Sequence, residues 1–350
     1  MITINDKMHN KKVAHQQNVI NFIKHNIGDV SNSINSNNDE FKKEILLFLL
    51  AYNATNKNNI DNLTKTRERA KSFNRLEKKL QDIRNVSFEN VNAKIVNLLK
   101  EFSITELQTQ QDILYNTAGI KPNNTDDSKL YLLFLLLPFL GRTYSQHFKN
   151  IKSLDIAKIM QELKYGVSQN FNSRQITNKI FGNSNVVGTI EKTENNIRAL
   201  TSTSITAMQT AVTKQLILDN PKPTLYGIFV AVLDSRTSSI CRSLAGKHGL
   251  YPTLPQPPLH WHCRSSISPY YKSINGMSSE QVGDRPLSTN YYDWIVKQPK
   301  VIQEQALGVA KTELLRKGVL KIDQFYSRNF TTFTLKELKE KYAQVAKSLQ

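Results

Sequence analysis

The chain has 350 residues and a formal charge of +18, from 47 Lys and Arg against 29 Asp and Glu. With 39% hydrophobic and 22% charged residues it is long and apolar enough for two or three domains and a sizeable core, which excludes a disordered chain on composition. Two cysteines exclude a disulfide scaffold and suit a reducing cytoplasm. The charge points to an anionic partner, nucleic acid first, against the plainer reading of a solvated basic surface. Met1 to Lys12 is polar and lacks the apolar centre of a secretory signal. The most apolar run, Leu130 to Leu140, contains Pro138 and falls short of the roughly 18 residues of a membrane span. It is expected to be a buried core helix, and the protein to be soluble and made in the cytosol.

Met1 to about Asn38 is rich in Asn, Lys and Ser and reads as a loose arm around one weak helix. From Asp39 the spacing of Ile45, Phe48, Leu49 and Tyr52 predicts a helix with one buried face. A polar connector follows at 53–62. Phe73, Leu76, Leu80 and Ile83 form a second stripe, and Val91, Ile95, Leu98 and Phe102 a third. Ser103 followed by Glu106 has the spacing of a capping box, so a new helix is expected there. Lys121 to Asp127 reads as a turn-rich break. In the next region Ile156, Ile159, Met160 and Leu163 line a helix that Gly166 should stop, and Ile176 and Ile180 mark a short helix ending at Gly182. A long helix from about Glu191 carries Ile205, Met208, Val212 and Leu216 on one side and ends before Pro221.

The apolar run Ile228 to Leu233 predicts a buried strand that stops at Asp234. The chain then reads D-S-R-T-S-S-I-C-R-S-L-A-G, a loop stiffened by Pro252, Pro255, Pro257 and Pro258, and P-P-L-H-W-H-C-R-S-S-I-S-P. Both cysteines, Cys241 and Cys263, fall here with His248, His260 and His262. Thiolate and imidazole are the ligands that tetrahedral zinc prefers. Cys241, His260 and Cys263 supply three, and His262, His248 or Asp234 could be the fourth. Free buried thiols beside hydrogen-bonding histidines, or a Cys241–Cys263 disulfide, are the other readings. A catalytic Cys241–His260 pair would make the chain a hydrolase or toxin-like enzyme. In the turn, Asp234 and Thr237 can satisfy local donors, while Arg236 is expected to pair with Asp234. Beyond this stretch, Gly276, Gly283 and Pro286 mark a loop. Helices are expected from Tyr291 to Pro299, from Ile302 to Arg316, and after a capping box at Thr334 and Glu337.

This central stretch resembles the head-morphogenesis domain of tailed bacteriophages, the phage Mu protein F-like minor head protein family. The resemblance rests on Asp234, Arg236, Thr237, Cys241, Leu244, Gly246, Pro257, Pro258, His260, Cys263 and Arg264, and covers about 153–271. It departs at Ser238 and Ser265, where that family often has cysteines, which leaves Cys241, His260 and Cys263 as a reduced set. The first 150 residues carry none of it and are expected to be phage-specific.

The expected fold is a predominantly helical α+β: a helical region 1–150, an α+β core 151–275 with a short strand and a proline-rich Cys/His knuckle, and a helical tail 276–350. The resemblance implies a low-copy virion component that enters the procapsid with the portal, made in the host cytoplasm and resident in the capsid interior or at the portal vertex. It implies portal protein, and major capsid protein or scaffold, as partners, with no membrane, a part in genome delivery, and no enzymatic activity. A cationic protein beside packed double-stranded DNA gains from counterion release without reading sequence. No sequence-reading module is present, so such DNA binding is expected to be nonspecific.

Overall fold

The computed structural model describes residues 2–55, 62–220, 226–274, 276–283, 291–327 and 332–348. Pro221 and Pro286, and most of the connector at 53–62, lie outside the described residues. Seven helices come first: α1 (Ile4–Asn32), α2 (Asn38–Thr55), α3 (Asn62–Ala118), α4 (Ser128–Leu136), α5 (Tyr144–Ser168), α6 (Ser173–Phe181) and α7 (Thr189–Asp219). Strand β1 (Tyr226–Val230), helix α8 (Ser239–Leu244), and strands β2 (His248–Leu250) and β3 (Ser266–Tyr270) follow. Short helices complete the order: α9 (Ser279–Val282), α10 (Tyr291–Val296), α11 (Lys300–Leu307), α12 (Val309–Arg316), α13 (Leu335–Lys341) and α14 (Ala343–Ser348). The fold is therefore predominantly helical α+β. The described residues form two compact units, and the division falls inside α1, α3 and α7.

One unit comprises Lys24–Lys100 and Arg142–Ser202. Its core takes Phe41, Ile45 and Leu49 from α2, Leu76, Leu80 and Ile83 from α3, Ile156, Ile159, Met160 and Leu163 from α5, and Ile176 and Ile180 from α6. Apart from Phe41, these residues belong to the stripes read from the sequence. Gly166 does not stop α5. It lies inside the helix because a Cβ there would come within 2.6 Å of Ile176 Cγ1, so its bare backbone lets α6 approach. The buried Arg84 is held by Asp155 at 2.8 Å and by the Ile34 carbonyl at 2.6 Å, and Thr193 donates to the same carboxylate at 2.7 Å.

The other unit comprises Met1–Ile23, Glu101–Gly141 and Thr203–Gln350. The N-terminal segment is not a loose arm. Helix α1 buries Asp6, His9, Lys12 and Gln16 along with Met8 and Val19, and Asp6, Lys12 and Gln16 pair with Thr3, Glu106 and Gln209. Lys12 Nζ and His15 Nε2 reach the two oxygens of Glu106 at 3.3 and 2.6 Å, and Gln110 and Gln209 donate to the same carboxylate. No helix begins at Ser103, because α3 continues through it. Glu106 is instead the buried acid of this network. Burial alone would push its carboxyl up, but the Lys12 charge and the His15 hydrogen bond outweigh that and hold it at about 2. Desolvation meanwhile lowers Lys12.

The expected core helix at Leu130–Leu140 ends at Leu136 and is buried on one side only. Leu130 and Phe134 point inward, while Leu132 and Leu136 are exposed. The single predicted strand becomes a three-stranded antiparallel sheet in the order β2-β1-β3. β1 pairs with β3 from Tyr226↔Tyr270 to Val230↔Ser266, and with β2 from Tyr226↔Leu250 to Ile228↔His248. The residues expected to extend β1, Ala231 to Leu233, continue outside the ladder toward Asp234. The expected helix from Ile302 to Arg316 breaks at Gly308 (φ +84°), and the terminal helix breaks at Tyr342. The Thr334–Glu337 capping box is present.

Candidate metal centre

β1 delivers the chain to a turn whose side chains close on one another. Asp234 is the hub. Arg264, thirty positions later and just before β3, donates to both its oxygens at 2.6 and 2.9 Å. The Arg236 backbone N–H donates to it at 3.0 Å, and the Thr237 hydroxyl lies 3.0 Å from it and 2.6 Å from the Val232 carbonyl. The partner of Asp234 is thus Arg264. The Arg236 guanidinium is 3.8 Å away and 70% exposed, so it adds charge but no fixed geometry. Burial pushes the Asp234 carboxyl up, and Arg264 with Thr237 more than reverses this, leaving it below its ordinary value.

Ser238 caps α8, accepting from the Cys241 N–H. This one-and-a-half-turn helix faces Cys241 inward, 1% exposed, among Phe229, Leu244 and Cys263. Gly246 then turns the chain with φ +78°, a left-handed conformation that costs glycine little. Its N–H donates to Phe229 O at 2.9 Å, and Phe229 N–H donates to Lys247 O, which starts β2 beside β1.

The proline loop returns the chain to α8. Pro257 and Pro258 are buried, and Thr210 donates to the Pro257 carbonyl at 2.6 Å. His262 adopts φ +57° and the Cys263 N–H bonds back to His260 O, a tight turn that presents His260 and Cys263 to the same point. Helix α7 fixes this turn with Thr203, which accepts from His262 N–H, and Thr206, which donates to Cys263 O. The threonines at 203, 206 and 210 share one helix face by their spacing. Arg242, also buried, donates to the carbonyls of Thr237, Ser235 and Ala306 and lies over the Tyr291 ring, whose hydroxyl donates to Asp234 O. The resemblance also took in the helix with Arg198, Thr201 and Thr203, but the sequence reading missed the shared threonine face and Arg242. Three Thr at i, i+3 and i+7 along α7 were the available signal for the first, and nothing local marked the second.

Cys241 Sγ lies 3.3 Å from His260 Nε2 and 3.8 Å from Cys263 Sγ. His260 Nδ1 is 2.8 Å from the Trp261 carbonyl, which accepts its proton and leaves Nε2 facing the sulfurs in the neutral ring. Zinc with Zn–S of about 2.3 Å and Zn–N of about 2.0–2.1 Å places tetrahedral sulfurs about 3.8 Å apart and sulfur and nitrogen about 3.5 Å apart. The observed separations suit that geometry. The cysteines are free, so the disulfide reading fails here. Cys263 lies well below the usual thiol range, chiefly through the hydrogen bond from Cys241, with His260 adding to it. The same bond and burial push Cys241 up, and contact with Cys263 raises His260. Cys241, His260 and Cys263 form a group that can hold a metal ion.

The three fourth-ligand candidates are not part of that group. His248 stacks on Tyr270 with centroids 4.4 Å apart, and Asp234 is engaged by Arg264. His262 lines the cavity beside the cluster, but its ring lies outside the group. The Ser238 hydroxyl sits 2.7 Å from His260 Nε2, and both Ser238 and Ser265 hydrogen-bond to Cys241. The two departures from the resembled pattern therefore both fall at this cluster. Trp261 is 43% exposed at the tip, and Trp294 packs beside Tyr291.

No protein-family model, curated protein or solved structure matches the chain. The functional reading rests on its own residues.

Proposed function

We propose that the chain is a minor head protein of a tailed bacteriophage, a low-copy component at the portal vertex or capsid interior that assists head morphogenesis. In this reading Cys241, His260 and Cys263 hold a structural zinc ion that ties the start of α8 to the segment leading into β3. A structural ion of this kind stabilises a loop-rich segment with few apolar contacts of its own. The portal protein, and the major capsid protein or scaffold, are the partners. Double-stranded DNA is contacted through its phosphates alone, and the protein has a part in genome delivery. The observation that carries the reading is convergence. The residues of the resemblance, spread from Asp234 to Arg264, close into one knuckle through the Asp234–Arg264 pair and the Cys241–His260–Cys263 group. The charge of +18 supports contact with packed DNA. No helix among the described residues is long and apolar enough to cross a membrane.

A second reading, a virion-packaged hydrolase, draws on one feature: His260 Nε2 lies within reach of both the Ser238 hydroxyl and the Cys241 thiol. Against it, Cys241 is buried and the adjoining cavity is about 20 Å³, far below the roughly 300 Å³ at which ligand pockets begin. Co-expression with the portal protein of the same genome tests the first reading. Joint purification and co-sedimentation with portal rings are expected, and a chain that always purifies alone contradicts it.

A further inference from the structure

We infer that the metal centre keeps an open fourth coordination position which takes water or a small anion. The inference rests on the reading that Cys241, His260 and Cys263 bind a metal ion. Among the described residues no other Cys, His, Asp or Glu joins that group. The hydroxyls of Ser238, Ser265 and Thr237 line the adjoining cavity, neutral groups that rank well below thiolate and imidazole as ligands for zinc. They are suited instead to hydrogen-bond whatever the metal carries. The cavity is about 20 Å³ and is lined also by Cys241 and His260. A water needs about 10–15 Å³ of such volume, so the cavity admits a group of about that size and not a side chain from elsewhere.

Charge decides which occupant. Two thiolates neutralise a divalent ion, so the coordination sphere itself is near neutral. The cavity wall adds the guanidinium groups of Arg236 and Arg264. Asp234 balances one guanidinium, through Arg264, and Arg236 remains exposed and cationic. A net positive rim around a metal with three protein ligands favours an anion in the fourth place. A structural zinc ion is four-coordinate, so with three protein ligands the fourth place here falls to a group that is not a side chain. Exchange is simple substitution: the anion's lone pair replaces that of the bound water, which leaves intact, with no proton or electron transferred.

Cobalt(II) in place of zinc gives the visible spectrum that reads this out. The full chain is loaded with cobalt and titrated with sodium azide. The expected result is a tetrahedral cobalt spectrum whose d–d bands shift saturably with azide. In a Ser238→Cys variant a third thiolate closes the site, so sulfur-to-cobalt charge transfer rises and the azide shift is lost. Circular dichroism reports whether that variant is folded, and the wild-type titration stands without it. Cobalt binding with no azide effect would overturn the open position and leave the metal reading intact. Folded chain that takes up neither cobalt nor zinc would overturn both.

Discussion

Replacing Asp234 with Ala removes one carboxylate that receives four contacts: two from Arg264, one from the Arg236 N–H and one from the Thr237 hydroxyl. Hydrogen bonds to charged groups contribute roughly 1.5–3 kcal/mol, and breaking a fully buried ion pair costs about 3–5 kcal/mol. Asp234 is 28% exposed and Arg264 19%, so water partly compensates and the expected loss is about 2–3 kcal/mol. At roughly 2–4 °C per kcal/mol for a unit of this size, the melting temperature falls by about 4–12 °C. Arg236→Ala, by contrast, removes a mostly exposed charge 3.8 Å from Asp234 and is expected to cost under about 0.5 kcal/mol. Urea unfolding of both variants beside wild type measures the difference. The pH dependence has a definite sign. The folded carboxyl lies below its ordinary value, so its stabilisation is complete above an unfolded value of about 3.9 and fades as pH falls through the folded one. The gap between wild type and Asp234→Asn should therefore be full at neutral pH and narrow in acid. Equal effects of Asp234→Ala and Arg236→Ala, or a gap that widens in acid, would refute the reasoning.

Glu106→Gln strands the buried Lys12 and should cost about 3–5 kcal/mol by denaturant unfolding. In wild type the contribution of Glu106 is lost as pH falls from about 4.3 toward about 2. Gly166→Ala should lower stability by about 1–3 kcal/mol despite the better helix propensity of alanine, because the new methyl meets Ile176. A raised melting temperature would contradict that. The purified chain should retard duplex DNA of any sequence near 50 mM salt and release it steeply toward 200 mM, and a gel-shift series that is flat in salt would exclude phosphate contact as the source.

The apolar stripes of α2, α3, α5 and α7 were legible because burial on one face imposes the helical period directly. The long polar helix α1 was not. Its buried residues, Lys12, Gln16 and Asp6, look like surface until their partners are known, and the partner of Lys12 lies 94 positions away. Ser103 and Glu106 matched a capping pattern for the same reason: spacing alone does not distinguish a helix start from a buried acid in mid-helix. The real boxes at Thr143–Gln146 and Asn172–Gln175 went unread because Gln, not Glu, closes them. β3 was hidden inside a stretch read as knuckle. S-I-S-P-Y has a proline and three hydroxyl groups, and burial on both faces erased the alternation a half-buried strand would show. At the site, the ligand triad followed from residue type. The choice of Arg264 over Arg236 did not, because adjacency in sequence favoured the residue that the turn sends outward.

The central claim is best tested by quantitative mass spectrometry of purified, DNA-filled particles produced by the genome that encodes this chain. The account predicts the chain in mature particles at a few copies per portal vertex, far below the major capsid protein. Particles that are complete and infectious without it would contradict the account.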